Sequence, residues 1–208
     1  MNLTGSYRAL KNNSKAAMLA AIEIYNKPQS AYRSECFSIL LVNAWELLLK
    51  AILSKHKQRI FYPKTPNQPY KSFSLYDALE AAKVYFPAAL CFEPIAQNLT
   101  VLSEYRNNSI HFYNQPGLEI MLFGLAQTSI INYRDVILAL FRVDIANEMN
   151  LSLLPLSFGA QPDPIQFLQK AKENPPKSRI MAEFIDRISQ ITHQLEAAQW
   201  DTGRFLTV

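Results

Sequence analysis

The sequence predicts an all-α protein: an up-and-down helical bundle followed by a C-terminal helical extension. Three observations carry this prediction. Apolar residues recur with a 3.6-residue period in one segment after another. Prolines fall between those segments, where a helix must stop. Only five of the 208 residues are glycine, few for the tight turns of a doubly wound phosphate-binding fold or a β-sandwich. With 49% hydrophobic and 18% charged residues the chain can bury a substantial core, which excludes a disordered polar chain.

The first helix is expected over about Ser6 to Asn26, where Leu10, Ala17, Ala21, Ile24 and Tyr25 form one apolar stripe. Lys27-Pro28-Gln29 ends it. A second helix, about Tyr32 to Lys57, is apolar nearly all round, with Trp45 at its centre. Such a helix is normally packed between others. Residues 58–73 hold Pro63, Pro66 and Pro69 and read as a long loop. Ser74, with Asp77 three residues on, is the expected N-cap of a third helix reaching about Tyr85. Pro87 and Pro94 bracket a piece read as irregular, and a fourth helix is expected from about Ile95 to Phe112. After Asn114-Gln115-Pro116-Gly117 a fifth runs from Leu118 to Phe141.

These elements make residues 1–141 one bundle. Residues 142–208 change character and are expected to form an extension packed on it. Leu151 to Pro164 is apolar and proline-rich without helical period, and helices are expected at about 164–173 and 177–199. The closing Arg204-Phe205-Leu206-Thr207-Val208 is β-prone and predicts a short terminal strand, or a natural chain that continues past it.

Cys36 and Cys91 lie in apolar segments without CxxC spacing, which argues against a disulfide framework or a cysteine-rich zinc site. The N-terminus has no apolar signal-peptide core. The most apolar stretch, Leu118 to Phe141, is interrupted by Glu119, Gln127, Asn132, Arg134 and Asp135. A cytoplasmic protein without membrane attachment is expected. The net charge of +4 mildly favours anionic partners.

There are three histidines, His56, His111 and His193, with no metal-ligand spacing, and no P-loop, GxSxG or GxGxxG pattern. No metal and no cofactor are expected. Chemistry then points to Glu104-Tyr105-Arg106-Asn107-Asn108-Ser109-Ile110-His111-Phe112-Tyr113. Arginine is always charged and clamps phosphate in a bidentate fork. An imidazole can take the proton of a ribose 2′-hydroxyl or protonate a leaving 5′-oxygen. Together they are the least equipment for metal-free RNA cleavage through a 2′,3′-cyclic phosphate. Asn107 stands one turn before His111 and could fix the tautomer of its ring. Arg106 and His111 are about 140° apart around a helix, so one helix alone makes a poor site. A twofold pair of such helices brings both sets to a shared cleft.

The Arg106-Asn107-x-x-x-His111 pattern on a late helix resembles the Arg-polar-x(3–5)-His signature of the HEPN superfamily of ribonucleases and nucleotide-binding proteins. The stretches Ala21-Ile-Glu-Ile-Tyr-Asn-Lys-Pro28 and Asn43-Ala-Trp-Glu-Leu-Leu-Leu-Lys-Ala51 look like one bacterial branch, the domain of unknown function DUF3644, and the similarity runs over about residues 5–205. The resemblance implies a helical bundle that dimerises through the motif helices. It also implies a metal-independent endoribonuclease acting on RNA, tRNA among the candidates, in toxin or anti-phage defence. Arg106 and His111 would be catalytic and Asn107 the polar motif residue. The bare pattern is short enough to arise about 0.4 times by chance in a chain of this composition. A decoy, Arg187-x5-His193, has Ile188 where a polar residue should follow. The alternative from another class is a non-catalytic module that binds a nucleotide or a protein partner.

Glu46 and Lys50 sit one turn apart on the most apolar helix. They read either as an ordinary ion pair or as a supporting pair in which Glu46 orients Arg106. Between Lys50 and Lys71 the chain has no acidic residue, and Lys55, Lys57, Arg59 and Lys64 alternate with Phe61, Tyr62 and Tyr70. That composition suits RNA and equally a solvated loop whose aromatics pack down. Tyr7, Tyr25 and Tyr32 are expected in the core or at helix junctions, and Trp200 as a late packing anchor.

Overall fold

The computed structural model describes residues 4–27, 32–111, 118–148 and 179–206; within these, the side chains at 108–111, 118–121 and 180 are not described. The expected helix at 164–173 lies outside the described residues. The chain is all-α, with helices α1 (Tyr7–Tyr25), α2 (Arg33–Lys55), α3 (Leu75–Ala82), α4 (Phe92–His111), α5 (Leu118–Phe141) and α6 (Arg179–Ala197). It divides into two compact units, Met1–Leu90 with Tyr133–Ile145, and Cys91–Asn132 with Ala146–Val208. The division runs through α5 rather than after it.

In the first unit the helix directions follow from their contacts. Gly5 meets Ser54, Ser14 meets Ala44, and Tyr25 meets Phe37, so α1 and α2 are antiparallel. Tyr133 touches both Ser14 and Trp45, while Phe141 stacks on Tyr7 and Leu140 accepts from Lys55. The last part of α5 therefore runs antiparallel to α1 and parallel to α2. Their shared core holds Met18, Leu41, Trp45, Leu48, Leu49, Tyr133 and Ile137, each fully buried. Trp45 meets the Tyr133 ring edge-on at 5.5 Å, a preferred aromatic geometry. The Ser14 hydroxyl gives its one proton to the Ala44 carbonyl (2.7 Å), so the Tyr133 hydroxyl, 2.7 Å away, is the donor to Ser14 Oγ. Burial pushes the Tyr133 phenol above its usual range.

Helix α2 is long and apolar enough to cross a membrane, and 67% of that stretch is buried inside the fold. The loop after it is fastened at both ends. Lys50, 5% exposed, donates to Ser72 Oγ at 2.9 Å and pairs with Glu46, while Phe61 and Ser72 form an isolated antiparallel bridge. Gly5, at φ +66°, lets Ile60 pack onto the backbone, since a Cβ there would meet Ile60 Cδ1 at 2.9 Å.

In the second unit α6 lies antiparallel to α4: Tyr105 packs on Phe184 and Glu104 pairs with Arg187, while Glu93 and Gln97 share a cleft with Gln194, Ala198 and Trp200. Met181, Ile185, Ile188, Ile191 and Leu195 form the buried stripe of α6. Two buried asparagines hold the end of the chain. Asn98 Nδ2 donates to the carbonyls of Leu125 (2.9 Å) and Phe205 (2.8 Å), and Asn132 Nδ2 to that of Arg204 (2.7 Å).

The structure corrects the sequence in two places. Helix α4 begins at Phe92, so Pro94 sits in its first turn, where a missing N–H costs no helical hydrogen bond. The terminal strand is not formed through residue 206: Thr202–Arg204 is a 3₁₀ turn and Phe205 is fully buried. The asparagine amides take the carbonyls that a strand would present to a partner. Tyr7 and Tyr25 pack on Phe141 and Phe37 at helix ends as expected, and Tyr32, 49% exposed, is the N-cap of α2, at a helix junction rather than in the core.

Candidate functional site

The last turns of α4 carry the Arg-Asn-x-x-x-His pattern. Ile95, Leu99, Leu102 and Tyr105 recur at spacings of four and three and bury one face of the helix. Tyr105 ends that stripe and packs against Phe184 of α6, their ring centroids 6.3 Å apart. Each further residue turns about 100°, so Arg106 and Asn107 leave the buried stripe for the flank and the outside of the helix. Arg106 is half-buried and Asn107 exposed.

The Arg106 guanidinium donates through Nε to Asn107 Oδ1 at 3.2 Å. This neighbouring bond uses the Nε proton, one of five on the guanidinium. His111 is the final residue of α4, and its side chain lies outside the described residues. Two residues before Arg106, Glu104 faces Arg187 of α6 at 3.9 Å. That exposed contact lies on the flank of the motif turn, and it comes from the decoy arginine. His193, the decoy histidine, instead faces Glu196 at 3.4 Å. Glu104 and Arg187 are placed beside the motif by the fold; the only signal in sequence was Glu104 preceding it.

The remaining candidates lie in the first unit. Glu46 bonds Lys50 on its own helix, and Lys50 reaches on to Ser72, so this pair anchors the 58–73 loop. Lys55 donates to the carbonyl of Leu140 and lies 5.0 Å over the Phe141 ring, which binds it to the end of α5. Lys57 occupies the left-handed position that closes α2, with φ 58°. Its amide bonds Ser54, and the next amide, of Gln58, bonds Leu53, the paired closure of a Schellman motif. Arg59 and Lys64 are exposed, Lys64 resting 5.3 Å over Tyr70.

Tyr62 meets the Phe73 ring edge-on at 5.0 Å, and its hydroxyl donates to Asp77 and accepts from the Ser74 amide. Hydrogen bonds from Ser74 and then Tyr62 hold the Asp77 carboxyl below its usual range. The aromatics of the loop thus pack against its own lysines and the cap of α3. Among the described residues no group of three or more His, Cys, Asp or Glu could hold a metal ion.

The family model for the domain of unknown function DUF3644 matches residues 9–192, which takes in α2 to α5 whole, most of α1 and α6, and the motif turn. The chain belongs to the DUF3644 family. No curated protein and no solved structure matches it. In this DUF3644 chain, then, the geometry of its own residues carries the functional argument.

Proposed function

We propose that this DUF3644 protein is a metal-independent endoribonuclease of the HEPN type, working as a homodimer in the cytoplasm, with RNA, tRNA among the candidates, as substrate. The observation that carries the reading is the end of α4: Arg106 half-buried beside an exposed Asn107, with His111 closing the same helix. Arg106 would hold the scissile phosphate and the charge that develops on it. His111 of one protomer would take the proton of the 2′-hydroxyl as its oxygen bonds to phosphorus. The partner's His111 would protonate the departing 5′-oxygen as the P–O5′ bond breaks, leaving a 2′,3′-cyclic phosphate. Two copies are needed because one helix splays Arg106 from His111. Toxin or anti-phage activity is the biological setting that the family likeness suggests.

The test is incubation of the purified chain with total tRNA and a generic single-stranded RNA in EDTA, beside His111→Ala and Arg106→Ala. Cleavage that persists in EDTA and leaves 2′,3′-cyclic ends is expected. Each variant should lose on the order of 10²-fold or more, as for removal of a transition-state donor or a general acid–base. No cleavage by a folded dimer would replace this reading with the non-catalytic module.

A further inference from the structure

A second cluster of charge lies in the first unit, built from parts that share no segment of sequence. The start of α1, the end of α2 and the end of α5 come together around an open pocket of about 360 Å³. Arg8, Lys11, Lys55 and Arg142 line it, and no acidic residue does. Among the described residues none of the four is in an ion pair with a carboxylate. Lys55 is held by the Leu140 carbonyl, a neutral partner that leaves its charge uncompensated and two of its three protons available. Tyr7 and Phe141, stacked with centroids 6.4 Å apart, form an aromatic wall.

Four like charges around one pocket repel one another, and an anion of matching charge relieves that repulsion. The effect is already visible on a group of the wall: the Tyr7 hydroxyl is pulled below its usual range, first by Arg8, which donates to it at 3.3 Å, and also by the charges of Lys55 and Lys11. Three of the four cations therefore act on a common point. Lys55 and Arg142 stand at the ends of α2 and α5, so the fold fixes where these charges lie.

We propose that this pocket binds a small ligand carrying two or more adjoining phosphoryl groups. A single phosphomonoester carries about −1.5 to −2 charges at neutral pH, short of the four cations. A diphosphate comes closer, and the pocket volume lies within the range of small-molecule sites, roughly 300–1,000 Å³. Inorganic pyrophosphate and the diphosphate end of a nucleotide share this chemistry. The inference uses no residue of the α4 motif and stands apart from the nuclease reading.

Isothermal titration of the full chain with pyrophosphate, ADP, AMP, orthophosphate and sulfate at one ionic strength tests it. Pyrophosphate and ADP should bind, with AMP, orthophosphate and sulfate roughly tenfold or more weaker. ADP tighter than pyrophosphate would assign the site to a nucleotide; equal binding would assign it to the diphosphate alone. Lys11→Gln/Arg142→Gln should weaken both ligands roughly tenfold or more while leaving the helical circular dichroism unchanged. Arg8→Gln serves as the second variant, should the first fail to fold. No binding of pyrophosphate or ADP to the folded chain at millimolar concentration would overturn the proposal. So would binding that a folded variant leaves unaltered, or equal binding of sulfate.

Discussion

The two compact units solve the problem of burying polar atoms differently. In the first, every buried side-chain nitrogen and oxygen among the described residues has a partner; in the second, Asn98 Oδ1 and Ser103 Oγ have none. Around the interlocked Trp45, Leu48, Leu49, Met18 and Tyr133 of the first unit, the buried Ser14, Ser38, Lys50 and Ser54 each make short-range hydrogen bonds to a neighbouring helix, loop or turn. The second spends two asparagines on tying distant carbonyls together, and leaves the Asn98 oxygen without a partner while that of Asn132 accepts from Arg204. Burial is spread over many contacts, whereas a few directional bonds concentrate stability in single side chains. The candidate nuclease motif belongs to the second unit and the cationic pocket to the first.

The largest effect should follow from Trp45→Ala. The residue is fully buried, and truncating a large core aromatic costs about 3–5 kcal/mol. Urea unfolding monitored by circular dichroism checks it. A loss under about 1 kcal/mol, the size of a typical surface change, would show that the first core is not organised around this ring.

Asn98→Ala should come next, at about 2–3 kcal/mol, because two hydrogen bonds go and the Phe205 carbonyl is left buried without its donor. Its signature should be local: trypsin should cut after Arg204 faster than in the parent chain, since the turn at Thr202–Arg204 loses its tether. An unchanged cleavage rate there would mean that the burial of Phe205, not the asparagine, holds the terminus.

Where reading the sequence succeeds and where it fails has the same origin. Helix α5 is legible to the residue, because the residue pair Pro116-Gly117 precedes Leu118 in the sequence and the apolar pattern stops at Phe141. Ser74 and Asp77 announce the cap of α3 in the same way. Such signals are local. Pro94 misleads because a proline inside the first turn and one that breaks a helix look alike in sequence. The closing run reads as a strand by propensity, and Asn98, 107 residues away from Phe205, overrides it. The same limit applies to sites. Arg106, Asn107 and His111 stand within six residues and are visible at once. Arg8, Lys11 and Arg142 become neighbours only when α5 folds back along α1, and Lys55, read as part of an RNA-binding loop, belongs with them.

The smallest effect isolates the comparison from the cores. Each unit contains a helix closed by the same paired hydrogen bonds. In the first, Lys57 bonds Ser54 and Gln58 bonds Leu53; in the second, Gln199 bonds Glu196 and Trp200 bonds Leu195. Both closures place a residue with a Cβ in the left-handed region, Lys57 at φ 58° and Gln199 at φ 57°. Glycine removes the steric cost of that conformation, about 1–2 kcal/mol, and returns part of it as extra freedom in the unfolded chain, about 0.5–1 kcal/mol. Lys57→Gly and Gln199→Gly should therefore each stabilise by about 0.5–1 kcal/mol, and by similar amounts, because the local geometry is the same. Thermal unfolding of the two single variants and the double variant reads this directly. Equal and additive gains would place the difference between the units in their cores. A gain for Lys57→Gly with none for Gln199→Gly would show that the second unit opens before its helix cap matters, and that its few directional bonds set the limit on its stability.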